Sequence, residues 1–197
     1  MNKNRTADMK RSTYETDITL RLDMDGTGKS EICTGIGFLD HMLTLFSKHG
    51  ILDLNVKADG DTNVDFHHTV EDIGIVLGKC IAVALDNKNG LKRYGTSFLP
   101  MDEALAMVSV DISGRPFLVF DCQLKTQKVG DFDTELVEEF FRAVAFNAGI
   151  TLHIKLLYGS NSHHIIEAIF KAFGRAIREA SSLDERVEGP MTTKGVL

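Results

Sequence analysis

The same short pattern occurs twice in this chain of 197 residues. HHTVE at residues 67–71 reappears as HHIIE at residues 163–167, 96 positions further along. Each copy begins a segment in which apolar residues recur at intervals of three and four, as on an amphipathic helix. Another helical pattern precedes each copy, ends at Gly50 or Gly149 and is followed by a strand pattern. Since strand patterns also come first, each half is predicted to contain strands, a helix, a strand and a helix.

The size of the repeat predicts how the two halves are arranged. A half of about 100 residues has difficulty in burying both its helices and one face of a sheet by itself. Two such halves can bury their helices against each other. We therefore predict an α+β fold with an internal duplication, residues 1–95 and residues 96–197, whose helices pack between two outer sheets. Because no proline-, glycine- or serine-rich linker separates the halves, we expect one compact unit.

Composition and charge argue against several classes of function. The formal net charge of -6 gives no basic excess for a general nucleic-acid binder. The N-terminal segment lacks the apolar stretch of a signal peptide, and the most apolar run, IGIVLGKCIAVAL, is short and interrupted by Lys79. The three cysteines form no close pair, which fits a reducing compartment. We expect a cytoplasmic protein that binds neither membranes nor nucleic acid.

The repeated HHxxE pattern indicates metal binding. Residues four apart on a helix share a face, so the first histidine and the glutamate of each copy can bind one ion. The second histidine is rotated by roughly 100° and points elsewhere. Two ions satisfy this geometry if each also takes the second histidine of the other repeat, from the same chain or a neighbouring subunit. A lone histidine in an apolar helix is usually structural, but two matched copies favour ligands. The predicted ligands are His67, His68, Glu71, His163, His164 and Glu167.

Two further ligands come from aligning the helices that precede the motifs. His41 falls opposite Glu139, a shift of 98 positions that is close to the shift of the main motif. Each site would then offer imidazole nitrogens and at least one carboxylate but no thiolate, a set suited to manganese, iron, cobalt or zinc. Ferritin-like bundles use Glu-x-x-His instead, which argues against iron storage.

The roles of the two remaining histidines are less sharply defined. His49 follows Lys48 at a predicted helix end, where a cation interacts favourably with the helix dipole, so it is either a cap or a catalytic residue. His153 alternates with apolar residues in a predicted strand, and this pattern favours a structural role.

Seven segments carry a resemblance to a known family. In chain order they are TGIGFLDHML, DFHHTVEDIGIVLG, RYG, PMDEAL, DISGRPF, HHIIEAIFKAFGRA and TKGVL. Together they resemble the imidazoleglycerol-phosphate dehydratase family over nearly the whole chain. The resemblance implies a duplicated α+β unit, two Mn²⁺ ions per active site bound by the eight predicted ligands, and active sites between the subunits of a 24-mer. Glu139 departs from a family form that has histidine there; a carboxylate can still bind manganese, so the departure bears on metal affinity or preference.

The resemblance also assigns the residues that bind the phosphate of the substrate. They are Arg93, Arg115 and Lys194, with the hydroxyl of Thr193. Guanidinium groups match the geometry of phosphate oxygens, so the assignment is chemically sound. By sequence alone each of these cations would be interpreted as a solvated surface charge.

Proton transfer is assigned to Glu15 in the first place and to His49 in the second. Glu15 comes from the resemblance, since an exposed charge before a strand would not otherwise be chosen. Carboxylates close to the motifs are interpreted as groups that orient the ligand imidazoles, namely Asp65, Asp72, Asp102 and Glu103.

The implied reaction is the dehydration of D-erythro-imidazoleglycerol phosphate to imidazoleacetol phosphate in L-histidine biosynthesis. The hydrogen that leaves is not next to a carbonyl, so no ordinary enolate can form. The resemblance implies a metal-bound imidazolate and a diazafulvene-like intermediate, with the metals acting as template and Lewis acid. Two alternatives use the same ligands: a two-metal hydrolase of a phosphorylated small molecule, and a metal-binding structural shell protein.

Overall fold

The computed structural model describes residues 5–195, so the last two residues of the TKGVL segment lie outside the described part. The elements of the first half are β1 (Thr6–Ser12), β2 (Thr16–Asp23), β3 (Ser30–Cys33), α1 (Gly37–Gly50), β4 (Asp53–Gly60) and α2 (His67–Leu85). Those of the second are β5 (Tyr94–Met101), β6 (Ala104–Asp111), β7 (Phe117–Asp121), β8 (Lys128–Val129), β9 (Phe132–Asp133), α3 (Leu136–Ala148), β10 (Thr151–Tyr158) and α4 (Ser162–Ser181).

Two four-stranded sheets share one topology. The strand order is β1-β2-β4-β3 in the first and β5-β6-β10-β7 in the second. In both sheets the first two pairings are antiparallel and the last one is parallel. A short antiparallel ribbon of β8 and β9 is added in the second half. The predicted α+β fold is confirmed.

The helices lie between the sheets and pack across the two halves. α1 contacts α4 and α2 contacts α3, so each pair joins one helix of the first half to one of the second. α2 also covers the first sheet, and α4 covers β5 and β6 of the second. In β2 and β6 every second residue is buried, so one face of each sheet joins the common core. The rings of Phe46 and Phe173 stack there, with centroids 5.1 Å apart.

Glycines lie at the ends of α1 and α3 and where the helices approach each other. Gly149 ends α3 in the left-handed conformation, with φ of 64°, as predicted. α1 ends at Gly50, also as predicted, but the left-handed residue that follows the helix is Ile51. A Cβ added to Gly50 would lie 3.2 Å from the carbonyl oxygen of Gly174 on α4. Gly50 is therefore required by helix packing rather than by helix termination.

The sequence patterns did not predict the edge strand β1, because Ala7 and Met9 are the only apolar residues that alternate along it.

The strand β5 begins at Tyr94 and spans the border between residues 1–95 and residues 96–197, so the division into these two halves stays a prediction. Among the described helices, none has the length and apolar character needed to cross a bilayer.

We predict that Gly174→Ala destabilises the protein by about 1–3 kcal/mol or more, because overpacked interiors respond in this range. The added Cβ would lie 2.5 Å from the carbonyl oxygen of Phe46, a backbone atom that cannot move alone. The matched control is Gly37→Ala, whose Cβ meets no atom within 4 Å, and which should change stability by less than about 1 kcal/mol. Urea denaturation followed by circular dichroism measures both. Equal stabilities of the two variants would contradict the packing argument.

Candidate active site

Three predicted ligands come together where α1 meets α4. His41 Nε2 lies 2.6 Å from Glu167 Oε1, and His163 Nε2 lies 3.4 Å from the same oxygen. Their ligand atoms all lie within 4.8 Å of one another, the one such group of three or more donors found within residues 5–195. The two imidazoles are 45% and 42% exposed while Glu167 is buried, so the group opens to solvent on its histidine side. Two nitrogens and one carboxylate at this spacing fit a divalent transition metal with coordination positions left open.

Local helix structure and helix packing both contribute to this group. The side chain of Asn161 accepts a hydrogen bond from the backbone N–H of His163 at 2.9 Å and caps the start of α4. His163 and Glu167 then lie one turn apart on the same face, while α1 supplies His41. An adjoining cavity of about 510 Å³ has aromatic walls that include Phe38 and Phe132.

Glu167 is held as a carboxylate by its neighbours. Lys171 Nζ donates to Glu167 Oε2 at 2.7 Å, and His41 contacts the other oxygen. Burial alone would raise the pKa of Glu167, but the hydrogen bonds with Lys171 and His41 outweigh it and lower the pKa from 4.5 to about 2. Glu167 is therefore negatively charged at neutral pH, as suits a residue that binds a cation.

The corresponding group of the first half is less complete. His67 Nε2 and Glu71 Oε2 are 4.0 Å apart on one face of α2. Glu139 lies on the neighbouring α3, but its ion pair is with Arg142, whose Nε is 3.8 Å from Glu139 Oε2. In the part of the chain that the structure describes, no third donor joins His67 and Glu71. The role of Glu139 as a ligand stays a prediction.

The second histidine of each motif points away from the first. The ring planes of His67 and His68 make an angle of 86°, and those of His163 and His164 make an angle of 81°. His68 Nδ1 lies 2.9 Å from Asp61 Oδ2, and a hydrogen bond with this carboxylate raises the pKa of His68.

In the second half the same position is taken by a glutamate. His164 Nδ1 lies 2.7 Å from Glu103 Oε2, and this hydrogen bond raises the pKa of His164. The bond with His164, followed by those from the backbone N–H groups of Asn161 and Ser160, holds the pKa of Glu103 well below its usual range. In both motifs Nδ1 of the second histidine is occupied by a carboxylate.

Of the other carboxylates near the motifs, Asp72 has a different partner from the one predicted. Asp72 accepts hydrogen bonds from Arg11 Nε at 2.8 Å and from the Thr16 hydroxyl at 2.6 Å, so it joins α2 to the first sheet instead of orienting an imidazole. Asp65 accepts from the backbone N–H of His67 at 2.7 Å. Asp102 lies 3.8 Å from His164 Nε2. Asp61 was not identified from the sequence, although two acidic residues, Asp61 and Asp65, lie in the loop between β4 and the first HHxxE.

The two residues assigned to proton transfer occupy different environments. Glu15 is the last residue before β2, is half exposed, and places Oε2 3.9 Å from His68 Nδ1. His49 is partly buried near the end of α1, where burial and then the charges of Lys171 and Arg175 lower its pKa. His49 is thus neutral at physiological pH, and this weakens its interpretation as a charged helix cap. His153 is exposed on β10.

All four residues assigned to phosphate binding line one cavity of about 580 Å³. Its walls are Arg93, Tyr94, Arg115, Met191, Thr192, Thr193 and Lys194. Arg93 is fixed by Asp111, whose two oxygens accept at 2.7 and 3.1 Å, and it donates to the carbonyl oxygen of Met191 at 2.7 Å. Arg93, Arg115 and Lys194 contribute three positive charges, and Asp111 offsets only one of them, so the cavity is suited to an anion. It shares no wall residue with the cavity beside His41 and His163.

Comparisons with known proteins agree on one family. A family model described as imidazoleglycerol-phosphate dehydratase matches residues 34–177. The chain is 65% identical over 193 residues to the protein of that name from Acetivibrio thermocellus, with 98% of this chain and 99% of the relative covered. The relative from Clostridium kluyveri is 62% identical over 193 residues, with 98% and 100% covered.

Solved structures give the same result. The crystal structure of imidazoleglycerol-phosphate dehydratase from Staphylococcus aureus has a TM-score of 0.83 and 50% identity, covering 91% of this chain and 99% of that chain. The Pyrococcus furiosus structure, in complex with (S)-C348, has a TM-score of 0.83 and 41% identity, covering 96% of this chain and 100% of that chain. Sequence and fold therefore resemble the same proteins along most of the chain.

We predict that Glu167→Gln lowers the stability of the metal-free protein by about 2–3 kcal/mol at pH 7, because Lys171 loses its partner charge. The folded pKa of Glu167, about 2, lies below the ordinary value of 4.5. The stabilisation is therefore present above pH 4.5 and is lost as the pH falls toward 2, so the difference between the proteins should shrink over that interval. Urea denaturation at pH 7, 4.5 and 3 tests this, with exposed Glu31→Gln as a control that should change stability by less than about 0.5 kcal/mol. A constant difference from pH 7 to pH 3 would contradict it.

Proposed function

Because the chain belongs to the imidazoleglycerol-phosphate dehydratase family and is therefore a hydro-lyase, we propose that it acts with divalent metal, Mn²⁺ first, in L-histidine biosynthesis. The reaction converts D-erythro-imidazoleglycerol phosphate to imidazoleacetol phosphate. The observation that carries the metal dependence is the convergence of His41, His163 and Glu167, whose ligand atoms lie within 4.8 Å of one another. Free cysteines support a cytoplasmic location.

The donor chemistry of the described residues fits manganese. Imidazole nitrogens and carboxylates are present, and the carboxylate of Glu167 is ionised at neutral pH. When bound, two ions would supply Lewis acidity to the substrate, and other divalent transition metals can serve the same purpose. The residues proposed to hold them are His41, His67, His68, Glu71, Glu139, His163, His164 and Glu167.

The phosphate of the substrate is proposed to bind in the cavity of Arg93, Arg115, Thr193 and Lys194. Arg93 is already oriented by Asp111. The Arg115 side chain is 62% exposed, with Nη1 donating to the carbonyl oxygen of Ser113 at 3.3 Å. Fixing the phosphate orients the rest of the substrate and lowers the entropic cost of reaching the reactive geometry.

Proton removal from carbon is proposed for Glu15. Its carboxylate is half exposed on the hairpin between β1 and β2 and lies 3.9 Å from His68 Nδ1, beside the proposed ligand set. His49 is the second choice, because burial and nearby positive charges keep it neutral and able to accept a proton.

We further propose that active sites form between subunits of a 24-mer. The separation of the two cavities within one chain supports this, since the substrate phosphate and the metals would otherwise have no common space. The incomplete His67 and Glu71 pair supports it too, because donors from a neighbouring chain can complete a site on an exposed helix face.

Chelation is expected to abolish dehydration, and added Mn²⁺ is expected to restore it. The assay follows ketone formation from imidazoleglycerol phosphate by purified protein, before and after metal removal. Inorganic phosphate is measured in parallel, because a two-metal hydrolase would release phosphate in place of ketone. Full activity in rigorously metal-free protein would contradict the proposal.

Substitutions should separate phosphate binding from proton transfer. Arg115→Ala and Lys194→Ala each remove a charge-assisted contact of roughly 1.5–3 kcal/mol, mainly raising KM by about 10- to 150-fold. Glu15→Gln keeps the side-chain size but cannot accept the proton, so its loss should fall chiefly on kcat. Steady-state kinetics measures both KM and kcat. Lys155→Ala, on the exposed face of the inner strand β10, is the control and should leave KM unchanged. If Glu15→Gln retained full kcat, the role of base would pass to His49.

A further inference from the structure

The two halves present equivalent glutamates to equivalent histidines. Glu15 immediately precedes β2 in the hairpin that β1 and β2 form, and Glu103 immediately precedes β6 in the hairpin of β5 and β6. Each hairpin reaches the second histidine of the HHxxE motif in its own half: Glu15 reaches His68 and Glu103 reaches His164. The distance between glutamate and histidine differs between the two halves, and this difference is the basis for giving the two glutamates different roles.

In the second half the glutamate is fully engaged. Glu103 Oε2 lies 2.7 Å from His164 Nδ1. Its other oxygen accepts from the backbone N–H of Asn161 at 2.7 Å, and from the backbone N–H and the hydroxyl of Ser160 at 3.1 and 3.2 Å. The carboxylate thus joins the hairpin, the turn before α4 and the imidazole in one rigid arrangement. Both carboxylate oxygens of Glu103 are therefore held by protein partners.

In the first half another residue takes this position. Asp61 Oδ2 lies 2.9 Å from His68 Nδ1, whereas Glu15 Oε2 remains 3.9 Å away, beyond hydrogen-bond distance. Asp61 is the residue after β4, and the residue after the equivalent strand β10 is Gly159, which has no side chain to offer. The replacement of the glutamate by an aspartate is therefore specific to the first half.

Gly60 allows Asp61 to reach this position. A Cβ on Gly60 would lie 2.1 Å from the Thr69 hydroxyl oxygen, so only glycine lets the end of β4 lie this close to the first turn of α2. That close approach puts the next residue, Asp61, beside His68 on the same turn. The geometry is thus built into the backbone.

We propose that Asp61 and Glu103 are positioning residues that hold the Nδ1–H form of His68 and His164, and that Asp61 thereby releases Glu15 to act on substrate. An ionised carboxylate only accepts hydrogen bonds, so the proton of a neutral imidazole stays on Nδ1 and the lone pair of Nε2 is free for a cation. The inference rests on the proposed function, because it takes His68 and His164 as metal ligands. It goes further by giving two equivalent glutamates different roles.

The test is Mn²⁺ binding by the full-length protein, measured from the electron paramagnetic resonance signal of free Mn²⁺. In Glu103→Gln the amide oxygen can keep its bonds to Ser160 and Asn161, but the amide NH₂ then faces His164 Nδ1 and disfavours its proton. We expect Mn²⁺ to bind about 10- to 100-fold more weakly, as is usual when a partner of a ligand histidine is lost. Asp61→Ala should weaken binding to a similar extent. Glu15→Gln, the same change at the equivalent position, should leave Mn²⁺ affinity within about twofold while lowering kcat.

The outcomes distinguish this inference from the proposed function. If the unaltered protein fails to bind Mn²⁺, both are overturned. If it binds and Glu103→Gln and Asp61→Ala bind equally well, the positioning role alone is wrong. Equal weakening by Glu15→Gln and Glu103→Gln would overturn the separation of roles. Circular dichroism and thermal melting of each variant identify a folding defect; should Glu103→Gln show one, Asp61→Ala decides, since Asp61 makes no contact with the turn before α4.

Discussion

The close packing of helices from opposite halves is the contact on which the rest of the structure depends. α1 and α4 approach each other at Gly50 and Gly174, where a side chain on either would meet backbone atoms of the other helix. α2 and α3 approach in the same way, since a Cβ on Gly74 would lie 2.8 Å from the carbonyl oxygen of Phe140. Neither half could bury its helices alone, and the shared core satisfies both. One consequence of this contact is chemical: it brings His41 of one half to Glu167 of the other.

Charge balance at that contact permits a buried carboxylate. Glu167 lies in the core, yet the hydrogen bonds with Lys171 and His41 keep it ionised. A buried charge without partners would instead be neutralised. The histidine rings remain exposed on the side that faces solvent, so the same group is rigid at its carboxylate and accessible at its nitrogens.

Duplication supplied two copies of one framework, but individual residues have diverged. His41 joins a three-donor group, whereas Glu139 at the equivalent position is paired with Arg142. Glu103 accepts hydrogen bonds at both carboxylate oxygens, whereas Asp61 takes the position beside His68 and Glu15 remains 3.9 Å from that imidazole. In the proposed function, the two pseudo-symmetric halves bind similar ions, and one carboxylate remains for the reaction. Glu15, Asp61 and Glu103 lie at strand and hairpin ends. His41 and Glu139 lie on α1 and α3 with partly exposed side chains, so all of these differences are outside the shared apolar core.

The sequence by itself determined the four helices, most of the strands and the neighbours within each helix. Helical periodicity is local, so the spacing of HHxxE was enough to predict that His163 and Glu167 share a face, and the repeat was enough to predict helices between two sheets. Contacts between elements were decided by tertiary structure, because they depend on how closely backbones approach. Asp72 contacts Arg11, Gly50 packs against Gly174, and Arg93 and Lys194 line one cavity; in each case the residues lie far apart in the chain. Asp61 and His68 are close in the chain, but an irregular loop with no periodic pattern joins them. No local pattern encodes such distances, and only the packed core fixes them.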